Sequence, residues 1–255
     1  MFISIVIPAY NEAANIAESL LQVYTFFAQY PAEIVVVDDG STDDTSKIVR
    51  EQCPYANLKL ITLPQNRGKG HAVKAGVLAS KGSHVLVTDA DLSVPLGDFE
   101  KLYRSFSPEA PVVIGSRGLK ESKVKNAWYR VLLGKFGNKL IQFIIPGIED
   151  SQCGFKLFDG EVAREVFRRQ RLEGFGFDFE VLFIAQKFKY PIREVPVSWT
   201  MADRKSSVKF YHYFSTLLEL GKVIYNDAAG KYGKRPVYST APAPLAAEKA
   251  VKTMH

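Results

Sequence analysis

The chain has 255 residues, of which 47% are hydrophobic and 12% aromatic, which is enough to build one large α/β domain. Its formal charge of +6 favours an anionic partner such as a nucleotide, a phosphate group or an acidic membrane surface. No run of about 18 apolar residues predicts a spanning helix, and neither a signal peptide nor a disulfide framework is indicated. A cytoplasmic protein with only peripheral membrane contact is expected.

The N-terminal part of the chain alternates between short β-branched runs and amphipathic helical patterns. Strands are predicted at 3–8, 33–39, 58–64 and 84–91, and helices at 12–29, 42–53 and 69–80. This alternation predicts βαβ units, an α/β fold and a mostly parallel sheet. The strands are nearly all apolar, which indicates helices on both faces of the sheet.

Polar residues follow each of these four strands, at the edge where open parallel sheets bind ligands. They are Tyr10, Asn11 and Glu12, then Asp38 and Asp39, then Asn66 to Lys69, and finally Asp89 and Asp91. The segment "DDGSTDDT" also fits an ordinary turn before a helix, with Gly40 at a positive φ. That interpretation leaves Asp38 and Asp39 unexplained, because they precede the turn.

Asp89 and Asp91 stand one residue apart in "DAD" at the end of the fourth strand. The simpler alternative is a solvated loop. Two neighbouring carboxylates raise each other's pKa unless a cation lies between them. Mg²⁺ and Mn²⁺ take oxygen ligands, and magnesium is often held by one or two carboxylates together with substrate phosphates. Asp89 and Asp91 are therefore the predicted metal ligands.

Four motifs occur in one characteristic order: "IVIPAYNE", "VVVDDGSTDDT", "NRGKG" and "DADLS". Together they resemble the nucleotide-sugar-binding half of family 2 glycosyltransferases, which are inverting enzymes with the GT-A fold. Further on, "VIGSR", "DSQCGFKLF", "GFDFEVLFIAQ" and "PIREVPVSW" resemble the branch that transfers sugar to polyprenyl phosphate. Within it the dolichyl-phosphate β-glucosyltransferases are most similar and the mannose synthases more distant. The resemblance covers residues 2–226.

The resemblance implies a donor site and a metal. Residues expected around the nucleoside are Pro8, Tyr10, Glu12, Asp39 and Lys69. Asp89 and Asp91 would hold Mg²⁺ or Mn²⁺ against the donor's diphosphate. Ser93 stands where mannose synthases often have a metal-binding glutamine, so either its hydroxyl or a water is expected there.

The predicted acceptor is a phosphate monoester, which is largely dianionic near neutral pH and needs no strong base. Arg117 and Arg130 are candidates to hold it, with surface charge as the alternative. Arg204 and Lys205 match a loop that closes over the donor phosphates in relatives, with a solvated loop as the alternative.

Asp178 and Glu180, in "FDFE", match the place of an acidic base or acceptor-orienting residue. Asp178 is expected near the reaction centre. The alternative is an exposed acidic pair at the start of a helix, where the helix dipole favours negative charge.

Two apolar stripes with nearby lysines lie in 124–145 and 210–225. Each fits either the protein's own core or a membrane interface. A lipid-bound acceptor favours the interface for 124–145. We expect peripheral association with the cytoplasmic face of a membrane.

Residues 1–229 are predicted to form one GT-A domain, with a nucleotide-sugar half (1–117) and an acceptor half (118–229). Residues 230–255 read as a flexible tail rich in Ala, Pro and Lys. Relatives often carry spanning helices at one end of the chain. None is predicted here, so a separate membrane subunit is a possible source of anchoring.

The expected function is inverting, metal-dependent transfer of a hexose, glucose from UDP-glucose, to polyprenyl phosphate. Alternatives are a GDP-mannose donor, or a soluble hydroxyl acceptor with Asp178 or Glu180 as base. A non-enzymatic alternative is a silent nucleotide-binding partner of a membrane glycosylation complex. Nucleic acid is not an expected partner, because the basic residues are dispersed.

Overall fold

The computed structural model describes residues 1–52, 56–125, 141–200 and 211–234. Its strands are β1 (Ile3–Ala9), β2 (Ala32–Asp38), β3 (Leu58–Thr62), β4 (His84–Val87), β5 (Val112–Ser116), β6 (Lys123–Lys125), β7 (Lys156–Asp159), β8 (Ile192–Pro196) and β9 (Ser198–Thr200). Its α-helices are α1 (Ile16–Phe27), α2 (Thr45–Gln52), α3 (Lys69–Ala79), α4 (Phe99–Ser105), α5 (Gly160–Arg169), α6 (Phe177–Lys187) and α7 (Tyr211–Ala228). The predicted α/β class is confirmed.

Seven strands form one sheet in the order β3-β2-β1-β4-β7-β5-β8. Neighbouring strands are parallel except for β7, which runs antiparallel to both β4 and β5. Strands β6 and β9 form a separate parallel pair. Because β7 lies between β4 and β5, the two halves of the chain share one sheet.

Helices cover both faces of the sheet, as the apolar strands predict. In β1, Ile5 and Ile7 face the layer of α1 and α4, while Val6 between them packs against α3 on the other face. Successive side chains of a strand point to opposite faces, so a strand covered on both sides must be apolar throughout.

Helix α1 begins four residues later than predicted. Asn11 has a φ of 54°, and the carbonyl oxygen of Glu12 accepts hydrogen bonds from the N–H groups of Asn15 and Ile16. This turn leaves residues 10–12 as a loop at the carboxyl end of β1.

The packed structure extends beyond the predicted domain boundary at residue 229. The ring of Tyr232 is buried, and its hydroxyl donates to Glu180 Oε1 over 2.7 Å. The rest of the predicted tail, 235–255, lies outside the described residues.

Candidate active site

Asp39 connects the end of β2 to the beginning of α3. Its buried carboxylate accepts hydrogen bonds from the N–H groups of Arg67 (3.1 Å) and Gly68 (2.7 Å). Gly40, the residue after Asp39, has a φ of 69°, and a Cβ there would lie 2.6 Å from the Cα of Gln65. Only glycine fits this approach of the two turns.

The loop after β1 is bonded to the same turn. Asn11 N–H donates to Ser41 Oγ (2.9 Å), and Glu12 N–H donates to Thr45 Oγ1 (2.8 Å). Pro8 is buried beside Val37, whereas Tyr10 is exposed at the rim. The loop after β1 and the turn after β2 are therefore connected by hydrogen bonds, and of the predicted donor residues there Tyr10 is exposed whereas Pro8 and Asp39 are buried.

Lys69, the first residue of α3, forms an ion pair with Asp89 at the end of β4, with 2.6 Å between Nζ and Oδ1. Burial opposes ionisation of Asp89, but the Lys69 ammonium outweighs it and keeps the pKa of the carboxyl below its usual value. Burial likewise opposes the charge on Lys69, yet Asp89 and then Asp178 raise the pKa of its ammonium group. Asp89 is thus held ionised.

Asp91 is exposed, and its Oδ1 accepts a hydrogen bond from Ser93 N–H (3.0 Å). Within the described part of the chain no three His, Cys, Asp or Glu side chains group together as a metal cage. Asp89 and Asp91 would supply two carboxylates, which fits Mg²⁺ or Mn²⁺ whose remaining ligands are phosphate and water. The residues present therefore fit a cation shared with a phosphorylated ligand.

Gly154 packs directly against this acidic end of β4. A Cβ on Gly154 would lie 2.6 Å from the Asp89 Cγ. The backbone of the "DSQCGF" loop therefore forms one wall of the Asp89 site. The neighbouring Cys153 is a buried free thiol whose pKa is raised to about 12 by burial, so it packs beneath the site and is not a nucleophile.

Arg117, at the end of β5, is bound by Asp150. Its backbone N–H and Nε donate to Oδ2 (2.9 and 2.7 Å), and its terminal nitrogen donates to Oδ1 (3.0 Å). The guanidinium outweighs the effect of burial and holds the pKa of Asp150 below its usual value. Asp150 engages two of the five guanidinium N–H groups, and the guanidinium lies 5.9 Å from the Trp199 ring centroid.

Asp178 and Glu180 occupy different environments near the start of α6. Asp178 forms an ion pair with Lys156 of β7, and the two side chains are only 5% and 2% exposed. Glu180 is fully buried and accepts hydrogen bonds from the N–H groups of Arg171 and Leu172 and from the Tyr232 hydroxyl. The alternative of an exposed acidic pair is wrong, because both carboxylates are enclosed. Of these two acids, Asp178 is the one whose charge helps, after Asp89, to raise the pKa of the Lys69 ammonium group.

Three predicted residues, Arg130, Arg204 and Lys205, lie outside the described residues. Sequence reasoning missed Asp150 and Lys156. Lys156 interrupts the apolar run "GFKLF", and a lysine inside a buried strand requires a carboxylate partner. The sequence therefore indicates a buried ion pair at Lys156, although it does not identify the carboxylate.

One face of α7 carries exposed apolar side chains. Leu218, Ile224 and Tyr225 are exposed beside Lys222, while Val223 between them is buried. Of the helices that the structure describes, none combines the length and the hydropathy needed to cross a bilayer. The rest of this stripe and most of 124–145 lie outside the described side chains.

Solved structures of glycosyltransferases share this fold. A glucosyl-3-phosphoglycerate synthase from Mycobacterium tuberculosis, solved with Mn²⁺, UDP-glucose and glycerol 3-phosphate, matches with a TM-score of 0.62 and 19% identity over 87% of this chain and 79% of that one. A mannosyltransferase from Pyrobaculum calidifontis, solved with GDP-mannose and Mn²⁺, matches with a TM-score of 0.56 and 24% identity over 92% and 65%. The predicted GT-A fold is confirmed.

Curated relatives are more similar in sequence. The dolichyl-phosphate beta-glucosyltransferase of Homo sapiens is 36% identical over 239 residues, covering 86% of this chain and 72% of that protein. The one from Dictyostelium discoideum is 37% identical over 221 residues, covering 80% and 68%. Residues 4–167 also match the model of the family described as glycosyl transferase family 2. This chain is a glycosyltransferase and belongs to glycosyl transferase family 2.

Proposed function

We propose that this enzyme transfers glucose from UDP-glucose to dolichyl phosphate or another polyprenyl phosphate, with inversion at the anomeric carbon. The observation that carries the choice of substrates is the 36% identity to a dolichyl-phosphate beta-glucosyltransferase over 86% of the chain. The chemistry of the site supports the same assignment from the residues upward.

The donor would lie along the connected turns at the carboxyl ends of β1, β2 and β4. Pro8, Tyr10, Glu12 and Asp39 belong to the nucleoside side, and Lys69 points to the diphosphate side. Asp89 and Asp91 would hold Mg²⁺ or Mn²⁺, which when bound neutralises the charge that develops on the nucleoside diphosphate. The Lys69 ammonium adds a fixed positive charge beside the same oxygens.

The acceptor needs to be oriented more than activated, because a phosphate monoester already carries negative charge. Arg117 lies at the carboxyl end of β5, and its guanidinium is fixed by Asp150 before any ligand arrives. We assign Arg117, together with Arg130, to the acceptor phosphate, and Arg204 and Lys205 to the donor phosphates. Asp178 is held in place by Lys156, and in this proposal it orients the reaction centre.

A polyprenyl acceptor requires contact with a membrane surface. The exposed apolar residues of α7, beside Lys222, have the composition of an interfacial helix on anionic lipid. We propose peripheral association with the cytoplasmic face of a membrane. No observation on the described residues points to a separate anchoring subunit, and the proposal does not include one.

The test is a transfer assay with labelled UDP- and GDP-sugars, a short polyprenyl phosphate and Mn²⁺, scored by extraction of product into organic solvent. We expect extractable product from UDP-glucose, and none from the Asp91→Ala variant, whose circular dichroism should be unchanged because Asp91 is exposed. Product from GDP-mannose alone would make the enzyme a mannose synthase. Nucleotide binding without transfer or donor hydrolysis would instead indicate a silent partner.

A further inference from the structure

The loop of residues 170–176, which precedes α6, lies between two parts of the chain. On one side it contacts residues 68–71 at the beginning of α3, which we call the donor-side turn, and on the other side it contacts α7. On the donor side, Gly68 lies so close to it that a Cβ there would be 2.5 Å from the Glu173 carbonyl oxygen. The same carbonyl accepts a hydrogen bond from His71 N–H (3.2 Å). The first turn of α3 is thus seated on this loop through backbone contacts.

Gln170 ties the two segments together further inside. Its buried side-chain amide donates to the carbonyl oxygens of Gly70 (2.9 Å) and Leu172 (2.7 Å). A Cβ on Gly70 would lie 2.8 Å from the Leu172 oxygen. Movement of the loop would therefore displace the turn that carries Lys69 and the N–H groups bound by Asp39.

Two carboxylates hold the loop from behind. Glu219 of α7 accepts a hydrogen bond from Gly176 N–H (3.0 Å), and Cβ atoms on Gly174 and Gly176 would lie 2.6 and 2.7 Å from its oxygens. Glu180 of α6 accepts from the N–H groups of Arg171 (3.0 Å) and Leu172 (2.8 Å), and from the Tyr232 hydroxyl. None of these contacts involves the residues assigned to the donor.

We infer that Glu219 and Glu180 are positioning residues for the donor site, acting through the loop of residues 170–176. They fix the position of this loop against the beginning of α3, and thereby the positions of Lys69 and of the Arg67 and Gly68 N–H groups. The identity of the donor in this inference rests on the proposed function. The positioning of the donor-site residues does not rest on it, because the contacts that hold the loop are present in the ligand-free chain.

The main test is Glu219→Ala, measured first by hydrogen exchange of peptides covering residues 66–74 without ligand. We expect the N–H groups of this segment to exchange several-fold faster, because the loop behind them has lost its anchor. The KM for UDP-glucose and the Kd for UDP with Mn²⁺ should rise several-fold, with kcat changed less. Glu219→Gln should restore most of the wild-type behaviour, since its amide oxygen still accepts from Gly176 N–H.

The matched control is Asp159→Ala. Asp159 also accepts two backbone hydrogen bonds, from Glu161 and Val162 at the beginning of α5, but it lies at the opposite end of β7 from the site. This variant should lower the Tm while leaving both exchange at 66–74 and the Kd for UDP unchanged. If Glu219→Ala behaves like this control, the positioning role is wrong.

Tyr232→Phe provides a second variant in case Glu219→Ala does not fold. It removes only the hydroxyl that donates to Glu180, and faster exchange at 66–74 is again expected. Unchanged exchange in this folded variant would overturn the role of Glu180. If exchange changes as expected but the wild-type protein does not bind UDP, the positioning role stands and the proposed donor is wrong.

Discussion

At the scale of single residues, the site is organised by three acid–base pairs: Lys69–Asp89, Arg117–Asp150 and Lys156–Asp178. In each pair the cation and the acid come from different elements of the chain. Each acid has a cationic partner before any ligand is present. Such fixed charges require little reorganisation during a reaction, which is the main physical advantage of a preformed polar site.

Gly154→Ala tests how closely the Asp89 carboxylate must be held. The new Cβ would lie 2.6 Å from Asp89 Cγ, so the carboxylate must be displaced from its position. Displacing a reacting group by about 1 Å costs on the order of 100-fold in rate. We expect transfer to fall by about that factor in the extraction assay. Gly97→Ala is the control, because a Cβ there meets no atom within 4 Å; equal losses in both variants would contradict the prediction.

The Arg117–Asp150 pair predicts how stability depends on pH. Arg117 keeps the pKa of Asp150 below that of an unfolded chain, which is about 3.9. The folded state therefore gains stability from this carboxylate above about pH 4, and loses it as the pH falls through the folded pKa. Wild type should be more stable than Asp150→Asn at pH 6 in urea unfolding, and this difference should shrink towards pH 3. A difference that stays constant over that range would show that the pair does not contribute in this way.

At the scale of elements, local pattern was sufficient to predict the presence and order of β1 to β4 and of α1 to α3. Their bounds were less accurate, because β4 ends at Val87, four residues before its predicted end, and α1 begins four residues late. Their apolar runs and the polar residues that end them are visible within a few positions of sequence. The position and direction of β7 in the sheet were not predictable. The segment "KLFD" is compatible with a parallel or an antiparallel strand, and its neighbours, β4 and β5, are distant in sequence. For the same reason "FDFE" did not show which of its two acids belongs to the site. Asp178 is distinguished by its ion pair with Lys156, which lies 22 positions earlier in the sequence.

Gly40 tests the contact between the turns after β2 and β3. An alanine at a φ of 69° is strained, by roughly 1–2 kcal/mol, and its Cβ would also lie 2.6 Å from the Cα of Gln65. Gly230 has a φ of 68° with no atom within 4 Å, so Gly230→Ala measures the strain alone. We expect Gly40→Ala to lower the free energy of unfolding more than Gly230→Ala does, and to weaken UDP binding in calorimetry. Equal effects on both would mean that the turns are not in close contact.

At the scale of the whole molecule, β7 joins the two halves of the chain. It lies between β4, whose carboxyl end carries Asp89, and β5, whose carboxyl end leads to Arg117. Lys156, at the start of β7, is bound to Asp178 of α6 and also donates to the Cys153 carbonyl oxygen (2.5 Å). One buried ion pair thus links the strand that unites the halves to α6.

Lys156→Met tests that link, because it leaves the Asp178 carboxylate buried without its partner. Breaking such a pair costs roughly 3–5 kcal/mol, whereas replacing both members with apolar residues is often neutral. We expect Lys156→Met to lower the free energy of unfolding by that amount, and Lys156→Met with Asp178→Leu to recover most of it. Lys101→Met is the control, since its pair with Asp98 is half-exposed on the lysine side and should contribute no more than about 1 kcal/mol. If the double variant is stable but transfers no sugar, the Lys156–Asp178 pair acts in the reaction as well as in the fold. If Lys156→Met costs no more than the control, the pair does not hold the halves together.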